Sequence, residues 1–330
     1  MRWFILLAVT LVLVVNGNPP VKDDDPALVE IRILRNDALK LKDKKNYGEA
    51  ITKLDKAIRA LRDLHESRTD PKKRAADASL MAQSLSELGN VLMADKQFHS
   101  AKRVLEQAVD LSKRLFGPSH PSYSLALRNL GEVQLALDQH EDAIKSYSDL
   151  KSHAEKGLGK GHETVVDAAR RIGESYEKLN KFDDAIQTYK DVLSELGLGE
   201  SIPKNLAASA HEAGVGEIYQ GLASCLMKRN KLKEALTYAT VASGIMKRRE
   251  GATSMAYAFT LNLMAGINTY LGSETKALEY LKKAQKIALK NHGEFHPLVS
   301  QGETNIKQLE ERIQKKQAMA KDELVAKDEL

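Results

Sequence analysis

Several short stretches hold residues that elsewhere do chemistry. His140, Glu141 and Asp142 form a His-x-Asp triplet, which would supply two of the three ligands of a non-haem iron oxygenase site. His292 and His296 stand four apart, a spacing that lets two imidazoles share a metal when both lie on one helical face. Gly157, Gly159, Lys160 and Gly161 are a glycine-lysine cluster of the general kind that cradles phosphate. His120-Pro121-Ser122 and His296-Pro297-Leu298 begin like the His-Pro-Asp triplet with which J-domains stimulate Hsp70, and Cys225 is the single cysteine.

None of these stretches has the surroundings its chemistry needs. His140 occupies the slot that Tyr47, Phe98 and Phe182 fill elsewhere in the chain, and the β-sandwich such an iron site requires is missing. His292 and His296 flank Gly293 and precede Pro297, which denies them a common helical face, and no third ligand follows. The glycine cluster fits neither GxxxxGK[ST] nor GxGxxG after a strand, so it reads as an inter-helix turn. The His-Pro pairs lack the aspartate. One cysteine permits neither an internal disulfide nor a CxxC pair nor a cysteine-rich zinc site; Cys225 sits between Ser224 and Leu226 on an apolar face and reads as a small core residue, with a mixed-disulfide role as the alternative. No catalytic residue, metal site or cofactor is expected.

The elements around these letters are helical. The 330 residues are 42% hydrophobic and 29% charged, enough apolar content for a packed core and unlike a disordered chain. One Trp, ten Tyr and six Phe are a thin supply of aromatic residues for a β-sandwich or barrel. Fifty basic residues against 45 acidic ones give a net charge of +5 with the signs interspersed, which excludes a nucleic-acid-binding pattern. Six segments end in alanine after a run usually opened by a large residue: Tyr47 to Ala50, Phe98 to Ala101, His140 to Ala143, Phe182 to Ala185, Leu232 to Ala235 and Glu274 to Ala277. Twelve residues before each alanine stands another small residue, in turn Ala38, Gly89, Gly131, Gly173, Ala223 and Ala265, at spacings of 51, 42, 42, 50 and 42. Two antiparallel helices need such a pair where they cross most closely, because a larger side chain would overpack the crossing at a cost of about 1–3 kcal/mol. Apolar residues between these marks recur at helical spacing, as in Leu85, Leu88, Val91 and Leu92. Pro71, Pro118, Pro121, Pro203 and Pro297 fall between pairs, and Pro26 at a helix start.

Asn129, Leu130, Gly131 and Glu132 through Asp142, Ala143 and Ile144, and Ile172, Gly173, Glu174, Ser175 and Tyr176 through Phe182 to Ile186, resemble the Leu-Gly-x-x-Tyr and Ala signature of the tetratricopeptide repeat. The resemblance covers about residues 27 to 312. The 42-residue period and its linkers, Phe116 to Pro121, Gly159 to Glu163 and His292 to Pro297, are similar to the repeats of kinesin light chains. That likeness is one of repeat type, since the heptad coiled coil of those proteins is missing here. It implies an all-α, right-handed superhelical solenoid of about six helix pairs over residues 27–316, closed by a capping helix from Leu298 to about Lys316, with joints near 65–75 and 196–210.

Both ends carry addresses. Met1 and Arg2 followed by an apolar run from Trp3 to Val15, broken only by Thr10, form a signal-peptide pattern with cleavage expected near Gly17. Thirteen helical residues reach about 20 Å, short of the roughly 30 Å hydrocarbon core, so membrane insertion is not expected. Residues 18–26 read as a linker and 317–330 as a mobile tail. The chain finishes Lys327, Asp328, Glu329, Leu330, the tetrapeptide that the KDEL receptor reads. Together these predict residence in the endoplasmic reticulum (ER) lumen. The inner copy at Lys321 to Leu324 has no free carboxylate and should be inert.

The family implies peptide or protein binding along the first helices of the pairs, by residues three before, one after and four after each small residue. The expected partner-binding groove includes Arg35, Asn90, Arg128, Glu132, Arg170, Glu174, Gln220 and Asn262. Arginines there suit acidic side chains of an extended peptide, with Glu132 and Glu174 placed to neutralise two of them locally. The carboxylate clamp of the family is not reproduced, since Leu39 and Leu125 stand where its Asn and Lys would be. The expected function is a non-catalytic ER-lumen scaffold, adaptor or co-chaperone-like. The alternative is a substrate-binding or regulatory subunit of an ER protein-modifying enzyme, and a third reading is a secreted scaffold whose terminal KDEL is an artefact.

Overall fold

A computed structural model describes residues 25–117, 120–199 and 212–328. The expected signal peptide at 1–17, most of the linker, much of the joint at 196–210, and Glu329 and Leu330 lie outside the described residues. Among those described, regular structure is all helix. The pairs are α1 (Pro26–Asp43) with α2 (Tyr47–Ser67), α3 (Pro71–Ala94) with α4 (Phe98–Phe116), and α5 (Pro121–Ala136) with α6 (His140–Leu158). They continue with α7 (Glu163–Lys178) and α8 (Phe182–Glu195), α9 (Glu212–Lys228) and α10 (Leu232–Glu250), and α11 (Met255–Tyr270) and α12 (Glu274–His292), followed by α13 (Pro297–Asp328).

The chain divides into two compact units, residues 1–157 and 158–330. The division falls at neither expected joint. At 65–75 the extra length of the first long spacing is absorbed into α2 and α3, which leave only Arg68, Thr69 and Asp70 between them. Arg68 pins that turn: its guanidinium donates to Asp77 at 2.7 Å and to Asp25, the residue capping α1, at 2.6 Å. In the second unit α13 packs on α12, with Val299 and Leu309 buried, and Arg312 and Lys316 donate to Glu274 at 2.6 and 2.8 Å. The closing helix runs on to Asp328 instead of ending near Lys316, so Lys327 and Asp328 are helical in their backbone.

Each predicted run opens a second helix at its first residue, and all six alanines are fully buried. The small residues of the first helices make room for a specific neighbour. A Cβ on Gly89 would lie 2.5 Å from Leu105, and one on Gly131 2.6 Å from the Tyr147 ring. Tyr189 is held from two sides: a Cβ on Gly221 would lie 2.7 Å from its ring, and Gly173 faces it even more closely. The turn inside each pair repeats as well. Lys45, Lys96, Asp138, Asn180, Asn230 and Gly272 all take positive φ, and the next amide closes the helix end, as in Asn46 N–H to the Leu41 carbonyl and Lys181 N–H to that of Tyr176, both 2.9 Å.

First helices start under side-chain caps. Asp25 and Asp70 accept from amides two residues on, with Pro26 and Pro71 as first helical residues. His120, His162 and His296 do the same for α5, α7 and α13, each imidazole Nδ1 accepting a backbone N–H at 3.2 Å. These three linker histidines are therefore helix caps. His292 stacks on His296 with ring centroids 4.2 Å apart, and among the described residues no group of three or more metal-ligating side chains comes together.

Candidate protein-binding surface

Positions six before, three before, one after and four after the small residue lie on one helical face. In the first unit this face carries Arg32, Arg35, Leu39 and Lys42 on α1, Asn90 and Met93 on α3, and Leu125, Arg128, Glu132 and Leu135 on α5. Leu39 is 37% and Leu125 49% exposed. Arg35 is engaged by a neighbour, its guanidinium clasping Glu87 of α3 through two hydrogen bonds of 2.9 and 2.6 Å. Glu132 accepts from the Tyr147 hydroxyl at 3.0 Å, through the gap Gly131 leaves. Asn90 and Arg128 are half-buried on the same face.

The second unit carries the opposite charge. Arg170 lies on α7 with Asp167, Glu174 and Glu177, and α9 adds Glu217. Arg170 donates to Glu174 at 2.5 Å and to Asp167 at 2.6 Å. Burial works against its charge, but Glu174 and Asp167 outweigh that and hold the guanidinium above its ordinary pKa. The local neutralisation expected of Glu174 is thus seen at Arg170, with Asp167 of the same helix as a second carboxylate. Burial pushes the Glu177 carboxyl up, partly countered by the Tyr189 hydroxyl donating to it at 2.8 Å. Burial also raises Glu217, one of whose oxygens is enclosed without a hydrogen-bond partner. Cys225 is fully buried, and burial followed by the nearby Glu177 pushes its thiol up, which leaves it an inert core residue.

Gln220 is turned to α11, donating to Thr260 Oγ1 at 2.6 Å. Asn262 is exposed and lines a cleft among α11, α12 and α13. The eight expected residues thus fall into two groups, Arg35, Asn90, Arg128 and Glu132 in one unit and Arg170, Glu174, Gln220 and Asn262 in the other. Sequence reasoning missed Asp167, Glu217 and Phe259, all six residues before the small position. Extending the counted row by one turn would have found them.

Stacked antiparallel pairs with small residues at each crossing define a tetratricopeptide-repeat (TPR) solenoid, a fold consistent with a protein-binding scaffold and typically non-catalytic. Models described as Tetratricopeptide repeat match residues 80–150 and 167–195. A crystal structure of nearly identical TPR-like repeats from Podosopora anserina shares the fold, at 18% identity and a TM-score of 0.51 over 63% of this chain and 94% of that one. RxLR effector protein SFI4 of Phytophthora infestans is 34% identical over 314 residues, 94% of this chain and 89% of the relative. Secreted RxLR effector protein RXLR-C07 of Plasmopara halstedii is 35% identical over 297 residues, 88% of each chain. The chain belongs to the family of these RxLR effector proteins. Two Arg-x-Leu-Arg tetrapeptides occur in it, Arg32 to Arg35 and Arg59 to Arg62, and both are helical: Arg35 clasps Glu87 and Leu61 is fully buried. Among the described residues no helix is long and apolar enough to cross a membrane.

Proposed function

We propose that the chain is a non-catalytic protein-binding scaffold of the secretory route, retrieved to the ER lumen when the KDEL receptor reads Lys327 to Leu330. The observation that carries the binding reading is the first-unit face, where Leu39 and Leu125 are exposed beside the cationic side chains of the same helices. Aliphatic groups rimmed by guanidinium and ammonium suit a partner segment that pairs acidic with apolar side chains. Capture of partners from ER-enriched lysate tests it, with Leu39→Glu and Leu125→Glu combined as the comparison. Both side chains are exposed, so folding by circular dichroism should be unchanged while a defined partner is lost. An unchanged partner set would overturn the assignment of this face, and a stoichiometric catalytic chain among the partners would make the protein an enzyme subunit.

A second reading is an exported effector, favoured by the likeness to two RxLR effector proteins over most of the chain. Removing Leu330 separates the two. Retrieval predicts that the intact chain stays in the ER and the shortened one reaches the medium. Equal export of both would support the effector reading and end the retrieval one.

A further inference from the structure

The cleft among α11, α12 and α13 differs from the rest of the first-helix surface. Its volume is about 90 Å³, less than the roughly 150 Å³ cavity that takes a benzene ring, and it opens to solvent. Ala258, Ala284, Ala288 and Gly302 line it, so its depth comes from small residues. Met255, Phe259 and Leu298 form apolar walls, Phe259 52% and Leu298 44% exposed. In a chain that is 29% charged, no charged residue lines this cleft.

Its polar lining is all amide. Gln285 is committed to the fold, donating to the Val299 carbonyl at 2.9 Å. Gln301 donates to the Asn305 carbonyl oxygen at 3.0 Å. That bond leaves the Gln301 side-chain carbonyl as an acceptor and the Asn305 amide nitrogen as a donor. Asn262 offers both kinds of group from α11. A donor, an acceptor and a group that is both match the alternating N–H and C=O of an extended backbone. A charged occupant would lose part of its hydration here without a counter-charge.

From this lining we infer that the α11–α13 cleft is a subsite for an extended, uncharged peptide segment, seating one branched aliphatic side chain between Phe259 and Leu298 while Asn262, Gln301 and Asn305 hydrogen-bond its backbone. The inference rests on the protein-binding reading and names the partner chemistry at one place on that surface.

The test uses the purified full chain labelled at methionine methyls, because Met255 lines the cleft while Met93 and Met227 report from the first-helix faces elsewhere. The probes are acetylated, amidated nonapeptides of serine, glycine and asparagine with a central leucine, alanine, aspartate or lysine. The leucine peptide should shift Met255 and bind at least tenfold more tightly than the other three. Phe259→Ala and Asn305→Ala should each weaken it at least fivefold without altering the melting curve, since both side chains are exposed. Shifts confined to Met93 or Met227 would overturn the cleft assignment and leave protein binding standing. A silent Met255 with every peptide would overturn it too, and lysate capture would then decide the binding reading separately. Concentration-dependent Met255 shifts without peptide would place a second copy of the chain in the cleft and likewise overturn the proposal.

Discussion

The two units use the same packing and present opposite chemistry. On equivalent rows the first carries Arg32, Arg35, Lys42 and Arg128 against Glu132, and the second carries Asp167, Glu174, Glu177 and Glu217 against Arg170. In the first, Arg35 reaches across to Glu87 of the next first helix. In the second, the one arginine is held among carboxylates, and burial raises two of them. The comparison teaches that stacking is specified by the small residues at the crossings and by the turns, which leaves the face free to diverge. Ala38 and Gly173 do the same packing work beneath faces of opposite sign.

The comparison breaks first at the crossings. Gly173→Ala would drive a methyl into the Tyr189 ring, which Gly221 already confines from its other side. The helix propensity gained, about 1 kcal/mol, is outweighed by overpacking of about 3 kcal/mol against a ring that cannot swing away. In the first unit, Gly89→Ala meets Cγ and Cδ2 of the fully buried Leu105, both at 2.5 Å, a less close approach than that of Gly173 to its ring, and should cost about 1–2 kcal/mol. Chemical denaturation of both variants measures the difference. Equal losses would show that a ring confined by two glycines is no costlier to crowd than a buried leucine.

Removing the arginines comes next. Arg170→Ala removes the cation bonded to Asp167 and Glu174, leaving Glu174 the longer contact of 3.4 Å to Arg171, and should destabilise by about 2 kcal/mol, less than a fully buried pair because Glu174 is 38% exposed. Arg35→Ala leaves only Glu87, 23% exposed, and should cost about 1 kcal/mol. Melting at two salt concentrations checks this: the gap should narrow as salt screens the uncompensated acids.

The fold was legible because packing leaves marks in single residues. Ala50 and Ala143 admit nothing larger, and Pro71 or Pro121 can only open a helix. Turn geometry was legible in principle, since Asn180 and Asn230 are residues that tolerate positive φ, but Lys45 and Lys96 adopt it too, and lysine does not announce it. The face was legible by position and not by role. Counting placed Arg170 correctly on its helix, but which carboxylate a guanidinium takes depends on neighbouring turns and side-chain reach. Glu87, one residue past the counted row at Ser86, could not be assigned to Arg35 from spacing alone. The cleft depends on how α13 sits over α12, which no period in the chain encodes.

The histidine caps give a smaller effect. His162→Ala removes the acceptor for the Thr164 amide and should destabilise by about 1 kcal/mol, while His162→Asn, which can accept the same bond, should restore most of it. In the first unit Asp70 caps α3 in the same way, so Asp70→Ala should cost a similar amount. Thermal melts of the three variants test whether histidine is a full substitute for aspartate at this position. A loss unrecovered by asparagine would assign the histidines to packing instead of capping.

The smallest effect is one of sign. Burial raises the Glu177 carboxyl above its ordinary value, so the folded chain holds that proton more tightly than the unfolded chain does. The stability this provides is complete below the ordinary carboxylate pKa and is lost as pH rises through the raised value. Glu177→Gln should therefore melt higher than the wild type at pH 7 and converge with it in acid. Asp25 in the first unit runs the other way. The Arg68 hydrogen bond, helped by the Ala27 amide, holds its carboxyl below the ordinary value, so its contribution is present above the ordinary pKa and is lost as pH falls through the lowered one. Asp25→Asn should melt lower than the wild type at pH 7, and that gap should close on acidification. Opposite slopes for the two variants, measured as melting temperature against pH, would mean that burial governs the Glu177 carboxyl and the Arg68 guanidinium governs that of Asp25. Parallel slopes would mean that Glu177 is hydrated in the folded chain and that its face is open to water at that point.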